Sequence, residues 1–326
     1  MKKLEDIKIT MLGTTGAGKT SYLLSMYAVM QTGVQGFTLA AKDIDIDLEL
    51  TERWEQLISL EGEDRWPVPN AAAIEHYAFD FSYGFRPLIG FEWLDYRGLA
   101  LSDRSEEQDV QELSDYLTKS QCLFLCVSGE HLIDRITPNT VRNIKSDRMN
   151  QFIQKYISNH HPHSLDKPFP VAIVITKYDL CHHREKQEII EDIKQLFQGL
   201  FAPNSGWLVM ICPVSLGKEL CDNPNTASIV PINAHLPVVF AVYSQLRSYG
   251  MELRTNRDRH SEAVDKYKQI NPILQWLRNS EIQAQASELK NFENLLATVE
   301  ENMKLLSQEL QQASLYFSGN EVTADV

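Results

Sequence analysis

The residues best placed to do chemistry are Gly13 to Thr20, GTTGAGKT, which match the spacing G-x-x-x-x-G-K-[ST]. Glycines at this spacing let a backbone curl until several N–H groups point inward at the oxygens of an anion, and a helix starting directly behind the loop adds its partial positive charge. Lys19 then reaches the outer phosphates of a nucleotide, and the hydroxyl of Thr20 holds magnesium. A second chemical group is Asp95 in LDYRG: a carboxylate that holds Mg2+ through water opposite Thr20, with Gly98 offering an N–H to the terminal phosphate. A third is Thr176-Lys177-Tyr178-Asp179, in which the Asp179 carboxylate accepts two N–H donors from a guanine edge while the Lys177 stem lies over the base. A fourth is Val214-Ser215-Leu216-Gly217, a loop whose backbone N–H groups reach guanine O6. The phosphate-binding set is therefore Gly13, Thr14, Thr15, Gly16, Ala17, Gly18, Lys19, Thr20, Ser21 and Gly98. The guanine-binding set is Thr176, Lys177, Asp179, Ser215 and Leu216, and the metal set is Thr20 and Asp95.

These groups need elements that end at one edge. Lys8 to Leu12 reads as a buried strand before the glycine loop, and the run after it as a helix to about Thr32, stopped by Gly33 and Gly36. Asp43 to Asp64 reads as an inserted helix before the loop RWPVPN. Ile74 to Ser82 and Leu88 to Leu94 read as an antiparallel pair around Gly84. Cys122 to Val127, Pro170 to Ile175 and Trp207 to Val214 are apolar strands, the last of them the final strand. Helices are expected near Asp109 to Ser120, Thr140 to Asn159, Glu185 to Phe201 and Leu236 to Leu253. The alternation predicts an α/β fold, a mostly parallel doubly wound sheet with ligand at the carboxyl ends of its strands.

Beyond that, Ile282, Leu289, Leu296, Met303, Leu310 and Phe317 recur every seven residues, joined by Phe292, Val299, Leu306 and Ala313. With Gln285 breaking one position, this predicts a long helix over 281–318 that either pairs as a coiled coil or packs on its own chain. The expected organisation is a nucleotide domain over 1–254 with an insertion at about 38–72. A helical linker over 255–280, the heptad helix and a tail over 319–326 complete it.

Composition narrows the class. The 326 residues carry a net charge of −13 with 43% hydrophobic content and a mean hydropathy of −0.28. That balance argues against a sequence-independent nucleic-acid binder, so no nucleic acid is expected. No apolar run is long enough to span a bilayer, and the start MKKLEDIKIT lacks a signal-peptide core, so a cytoplasmic location is expected. The five cysteines suggest neither a disulfide framework nor a zinc ribbon, and Cys122, Cys126 and Cys212 read as small core residues. The histidine-rich spots His160 to His163 and Cys181 to His183 read as solvated loops.

With the four motifs in this order, residues 1 to about 250 resemble the Ras-like P-loop GTPases. TKYD is similar to that family's [NT]KxD guanine motif, and DYRG to its DxxG switch motif. The long insertion and helical extension look most like bacterial GTPase domains of multi-component conflict or signalling systems. The resemblance implies GTP or GDP as ligand, Mg2+ as cofactor, and switch loops ordered by the terminal phosphate. It also implies a GTPase reaction that a partner or self-assembly stimulates, or, as the other option, a scaffold whose GTP is barely hydrolysed. A protein partner or a homodimer through the 281–318 helix is expected.

Three departures bear on hydrolysis. The loop DRWPVPNAAA holds no threonine or serine to complete the magnesium shell, Leu99 stands where the family often has a water-orienting glutamine, and Thr15 adds bulk beside the terminal phosphate. Slow intrinsic turnover is therefore expected, unless Arg65, Asn70 or Arg104 swings in to replace what is missing.

Overall fold

The computed structural model describes residues 5–59, 61–67, 75–95, 107–161, 163–268 and 279–324. It divides into two compact units, Met1–Ala241 with Gln312–Thr323, and Val242–Gln311 with Ala324–Val326. Among the described residues of the first unit, nine strands form one sheet in the order β2-β3-β4-β1-β5-β6-β7-β8-β9. The strands are β1 (Ile7–Leu12), β2 (Phe37–Ala41), β3 (Glu75–Tyr83), β4 (Arg86–Asp95), β5 (Cys122–Ser128), β6 (Phe169–Thr176), β7 (Trp207–Pro213), β8 (Ser314–Phe317) and β9 (Asn320–Val322). The helices are α1 (Lys19–Thr32), α2 (Ile44–Ser59), α3 (Glu107–Leu117), α4 (Pro138–Ile144), α5 (Ser146–Phe152), α6 (Lys186–Leu196), α7 (Leu236–Lys268) and α8 (Asn279–Leu310). The fold is the expected α/β class, a mixed sheet that is parallel through its five central strands and antiparallel at both edges.

β4, β1, β5, β6 and β7 are mutually parallel. A parallel strand covered on both faces must be apolar on both, and β5 is buried at every position from Cys122 to Ser128. Helical residues fill one side: Leu113, Ile144, Phe152, Ile189, Ile193 and Leu196 join Leu123, Leu125, Ile173 and Val209 in one cluster. α1 lies between the sheet and α2, so Tyr22, Leu23, Leu24, Met26, Tyr27 and Met30 are all buried and its apolar residues follow no single stripe. The antiparallel pair β3 and β4 turns at Gly84 and Phe85, whose φ values of 53° and 62° suit a tight two-residue hairpin.

Several elements differ from what the sequence predicts. Phe37–Ala41, placed at the start of the insertion, is a strand on the outer edge of β3; five residues are too few to show a period. The expected helix over Thr140 to Asn159 is three pieces, because Lys145 adopts a left-handed conformation (φ 58°) between α4 and α5 and a wide π turn follows over Ile153–Ser158. α6 ends at Leu196, and Gln198–Phe201 is a separate 3-10 turn. α7 runs past Leu253, where the helix was expected to end, through residues 255–268 of the expected helical linker.

The largest correction concerns the C-terminal stretch. The heptad helix stops at Leu310, and β7 is not the last strand: β8 pairs antiparallel with it, Leu208 opposite Phe317 and Ile211 opposite Ser314. Phe317 continues the seven-residue count only because an apolar position of the strand β8 falls where the next heptad residue is expected. Ser318 and Gly319, at φ 47° and 84°, then turn the chain into β9. In the second unit, α8 turns its stripe toward the later part of α7. Gly250 faces Val299 and Met303, His260 stacks 5.2 Å from Phe292, and Arg254 meets Glu300 at 2.7 Å. The packed-helix reading thus describes the seam.

This topology predicts the outcome of truncation. A chain ending at Ser280 loses β8 and β9, uncovers the edge of β7 and removes Tyr316 from the core. It is expected to precipitate or melt well below the full chain, whereas Tyr316→Ala alone lowers stability by about 3 kcal/mol. Thermal melting of both variants is the check, and a soluble truncation melting with the wild type contradicts the pairing.

Candidate nucleotide site

β1 ends at Leu12, the loop Gly13–Gly18 follows, and α1 begins at Lys19. Its glycines are required for different reasons. A Cβ on Gly13 would stand 2.8 Å from Cys126 Cβ, so the loop enters against the neighbouring strand with no room for a side chain. Gly16 has φ 79° with open space around it, and Gly18 has φ 78° beside Thr176. Between them the Ala17 N–H donates to Thr14 O at 3.2 Å, while Tyr22 N–H donates to Gly18 O at 2.9 Å and starts the helix.

The loop is fastened from below by two strands. Thr176 Oγ1, at the end of β6, donates to Ala17 O at 2.7 Å, and Cys126 Sγ on β5 donates to the same oxygen at 3.0 Å. The Lys19 side chain is buried, 8% exposed, and its Nζ donates to Gly13 O at 3.0 Å and Thr14 O at 3.2 Å. The ammonium is thereby centred under a crest formed by exposed Thr15 and Gly16. Thr20 and Ser21 lie in the first helical turn, both partly exposed. Asp95 ends β4 opposite Met11 of β1, so its backbone lies one strand from the loop.

The other end of the site is built on β6 and β7. Lys177 follows Thr176 with φ 50°, a left-handed residue that turns the strand sharply into the 3-10 turn Tyr178–Cys181. The turn is held by backbone bonds, Tyr178 N to Val214 O at 3.1 Å and Val214 N to Ile175 O at 2.7 Å. Burial pushes the Asp179 carboxyl above the usual aspartate range, and hydrogen bonds from its own backbone and from Ser215 pull against that. The Ser215 hydroxyl also accepts from Gly217 N at 2.9 Å. Lys177 Nζ meets Glu130 Oε1 at 2.7 Å, and Gly129 packs so closely that a Cβ there would be 2.4 Å from Lys177 O.

The structure thus brings Gly13–Thr20, Thr176, Lys177, Asp179, Ser215 and Leu216 to the carboxyl ends of adjacent strands. Gly98, Leu99, Asn70 and Arg104 lie outside the described residues, as do positions 68–73 of the loop DRWPVPNAAA in which no threonine or serine is found. Arg65 is buried, 4% exposed, with Nε bonded to Leu57 O and Nη1 to Ala227 O. Cys126, Gly129 and Glu130 are the residues that sequence reasoning missed. Cys126 was read only as core, and the signal for the other two was Ser128-Gly129-Glu130, polar and glycine-bearing at the end of an apolar strand.

None of the five cysteines is in a disulfide. Cys181 is buried too, which raises its thiol to about 11. Among the described residues no cluster of three His, Cys, Asp or Glu is placed to hold a metal ion; the His163 ring lies tilted against Trp207, with centroids 4.1 Å apart. No helix among them is long and apolar enough to cross a membrane.

No family model and no curated protein matches the chain. Solved structures that align with the chain include a variant of SsGBP, at 12% identity and TM-score 0.33 over 65% of this chain and 49% of that one. The chain therefore spans about half the length of that protein. Nucleolar GTP-binding protein 1 from Plasmodium falciparum aligns at 9% identity and TM-score 0.38, over 80% of this chain and 97% of that one. An NFeoB variant from S. thermophilus bound to GDP and AlF4- aligns at 12% identity and TM-score 0.35, over 91% of this chain and 92% of that one. Each is weak in identity and in TM-score, and the function is argued from the chain's own residues.

Proposed function

We propose that the chain binds GTP and GDP with Mg2+ and acts as a nucleotide-dependent switch of the Ras-like P-loop class. The observation that carries this reading is the Thr176 hydrogen bond to Ala17 O. One residue at the end of β6 both fixes the phosphate loop and begins the TKYD turn, so phosphate donors and guanine acceptors share one rigid frame. A nucleoside diphosphate needs both ends at once, and a glycine loop with no base-reading turn would not distinguish guanine from adenine.

In this reading the N–H groups of the loop and Lys19 hold the phosphates, and Gly98 adds a donor at the terminal one. Thr20 and Asp95 would hold magnesium, which neutralises charge on the outer phosphates when bound. Thr20 at the helix start and Asp95 one strand away are hard oxygen donors, as that ion prefers. Asp179 accepts from the guanine edge, Lys177 covers the base while anchored on Glu130, and Ser215 with Leu216 closes the base loop.

Asp179 carries a signed pH dependence. Its folded pKa is raised by burial, whereas guanine donors need the carboxylate, so nucleotide binding favours the charged form. Guanine affinity is expected to fall as pH drops through that raised value. Asp179→Asn removes this dependence and shifts preference from GTP to XTP, whose exocyclic oxygen meets the new amide donor. Competition binding across pH is the check; wild-type preference for GTP in Asp179→Asn leaves TKYD as a turn only.

Hydrolysis is proposed to be slow. Leu99 cannot orient a water, and Arg65 is committed to packing. A partner or second copy that raises the rate belongs to the proposal, and it is not assigned to the α8 seam because α7 already covers that stripe. Single-turnover hydrolysis by dilute protein is expected on the order of 10⁻⁴ per second, and a rate of roughly one per second would show a catalytic group within the chain.

A further inference from the structure

Residues 37–67 contain a strand, β2, and a helix, α2, that the nucleotide site does not use. α2 packs on α1, burying Leu50 and Leu57, with Asp47 bonded to the Tyr27 hydroxyl. After α2 the chain bends at Gly62, φ 80°, into the turn Glu63–Arg65 and is fastened to the far end of the site. Gly62 N donates to Asn225 O at 3.0 Å. The Arg65 guanidinium, 5.5 Å over the Trp66 ring, donates from Nε to Leu57 O at 3.3 Å and from Nη1 to Ala227 O at 3.0 Å.

A buried guanidinium is an unfavourable choice for filling space, because its charge loses water. Its advantage is a planar fork with donors in fixed, diverging directions, which joins two backbones that one amine cannot span. Here the two are the end of α2 and the strand of chain behind the base loop. Ala227 leads into residues 228–232, and these hold the base loop through backbone bonds. Val230 N donates to Leu216 O at 2.6 Å, Ser215 N to Ile232 O at 3.3 Å, and Ile232 N to Ser215 O at 2.8 Å. Ser228 O lies 3.0 Å from where a Cβ on Gly217 would sit, so that loop has no slack on this side. Ser215 in turn bonds Asp179.

We propose that Arg65 is a positioning residue for base selection. By clamping Ala227 it sets the backbone of Ser215 and Leu216, and so the strictness with which guanine is preferred. The proposal rests on the nucleotide reading above, and the two fail separately.

The test uses the full chain, with GDP and ADP as probes. Arg65→Lys keeps the charge but gathers its donors on one atom, so it lacks the fork that reaches Leu57 O from Nε and Ala227 O from Nη1. The GDP-over-ADP preference is expected to fall about tenfold, the worth of one charged hydrogen bond, with ADP affinity little changed. A wild-type chain with no preference for GDP removes the nucleotide reading and this proposal with it. A wild-type preference that Arg65→Lys leaves intact, even with a lower melting temperature, overturns the positioning role alone. If Arg65→Lys does not fold, amide exchange on the wild type decides. GDP must slow exchange at Gly62 together with Val230 and Ile232; slowing at the last two without Gly62 overturns the clamp.

Discussion

The carbonyl oxygen of Ala17 receives the Thr176 hydroxyl and the Cys126 thiol, and the site depends on that joint. A glycine loop carries many backbone groups that no helix or sheet satisfies, and left alone it samples many shapes. Two donors from neighbouring strands select one. Each bond contributes only about 1 kcal/mol, but both come from strands buried on all sides, so the loop inherits the rigidity of the sheet. Gly13 confirms how close the approach is, since even a methyl group would collide with Cys126. The TKYD turn leaves the same strand, so both halves of the candidate site are anchored on β6.

Around this joint the chain adds constraints on the base side. Gly129 permits the backbone contact with Lys177, Glu130 holds its ammonium, and residues 228–232 brace the loop that holds Asp179 through Ser215. Lys177 and Lys145 both adopt left-handed conformations, yet to different ends. Lys145 breaks a helix, while Lys177 turns the end of β6 into the 3-10 turn Tyr178–Cys181.

Much of this was legible in the sequence because it is local. A strand, GTTGAGKT and an apolar helix specify the phosphate loop within about twenty-five residues, and TKYD declares itself directly after VAIVI. The inserted helix α2 and the β3–β4 hairpin were readable for the same reason, from spacing and from Gly84. What was not legible required distant partners. No spacing reveals that Cys126 lies under Ala17, 109 residues away, or that Arg65 reaches Ala227, 162 residues away. β8 was hidden by coincidence, since Leu310 and Phe317 continue a seven-residue count across the change from helix to strand. The seam of α8 was correctly seen as apolar, but only the packing of Gly250 and His260 shows that α7 covers it.

The central claim is that one rigid edge reads phosphate and guanine together, and the most direct measurement is the nucleotide that the purified chain retains. Denaturing the protein and chromatographing the released small molecules is predicted to yield GDP, with GTP as a minor species, and Lys19→Ala purified in the same way is predicted to carry none. ADP or ATP in place of guanine nucleotides would contradict the assignment of Asp179 and Ser215 to the base.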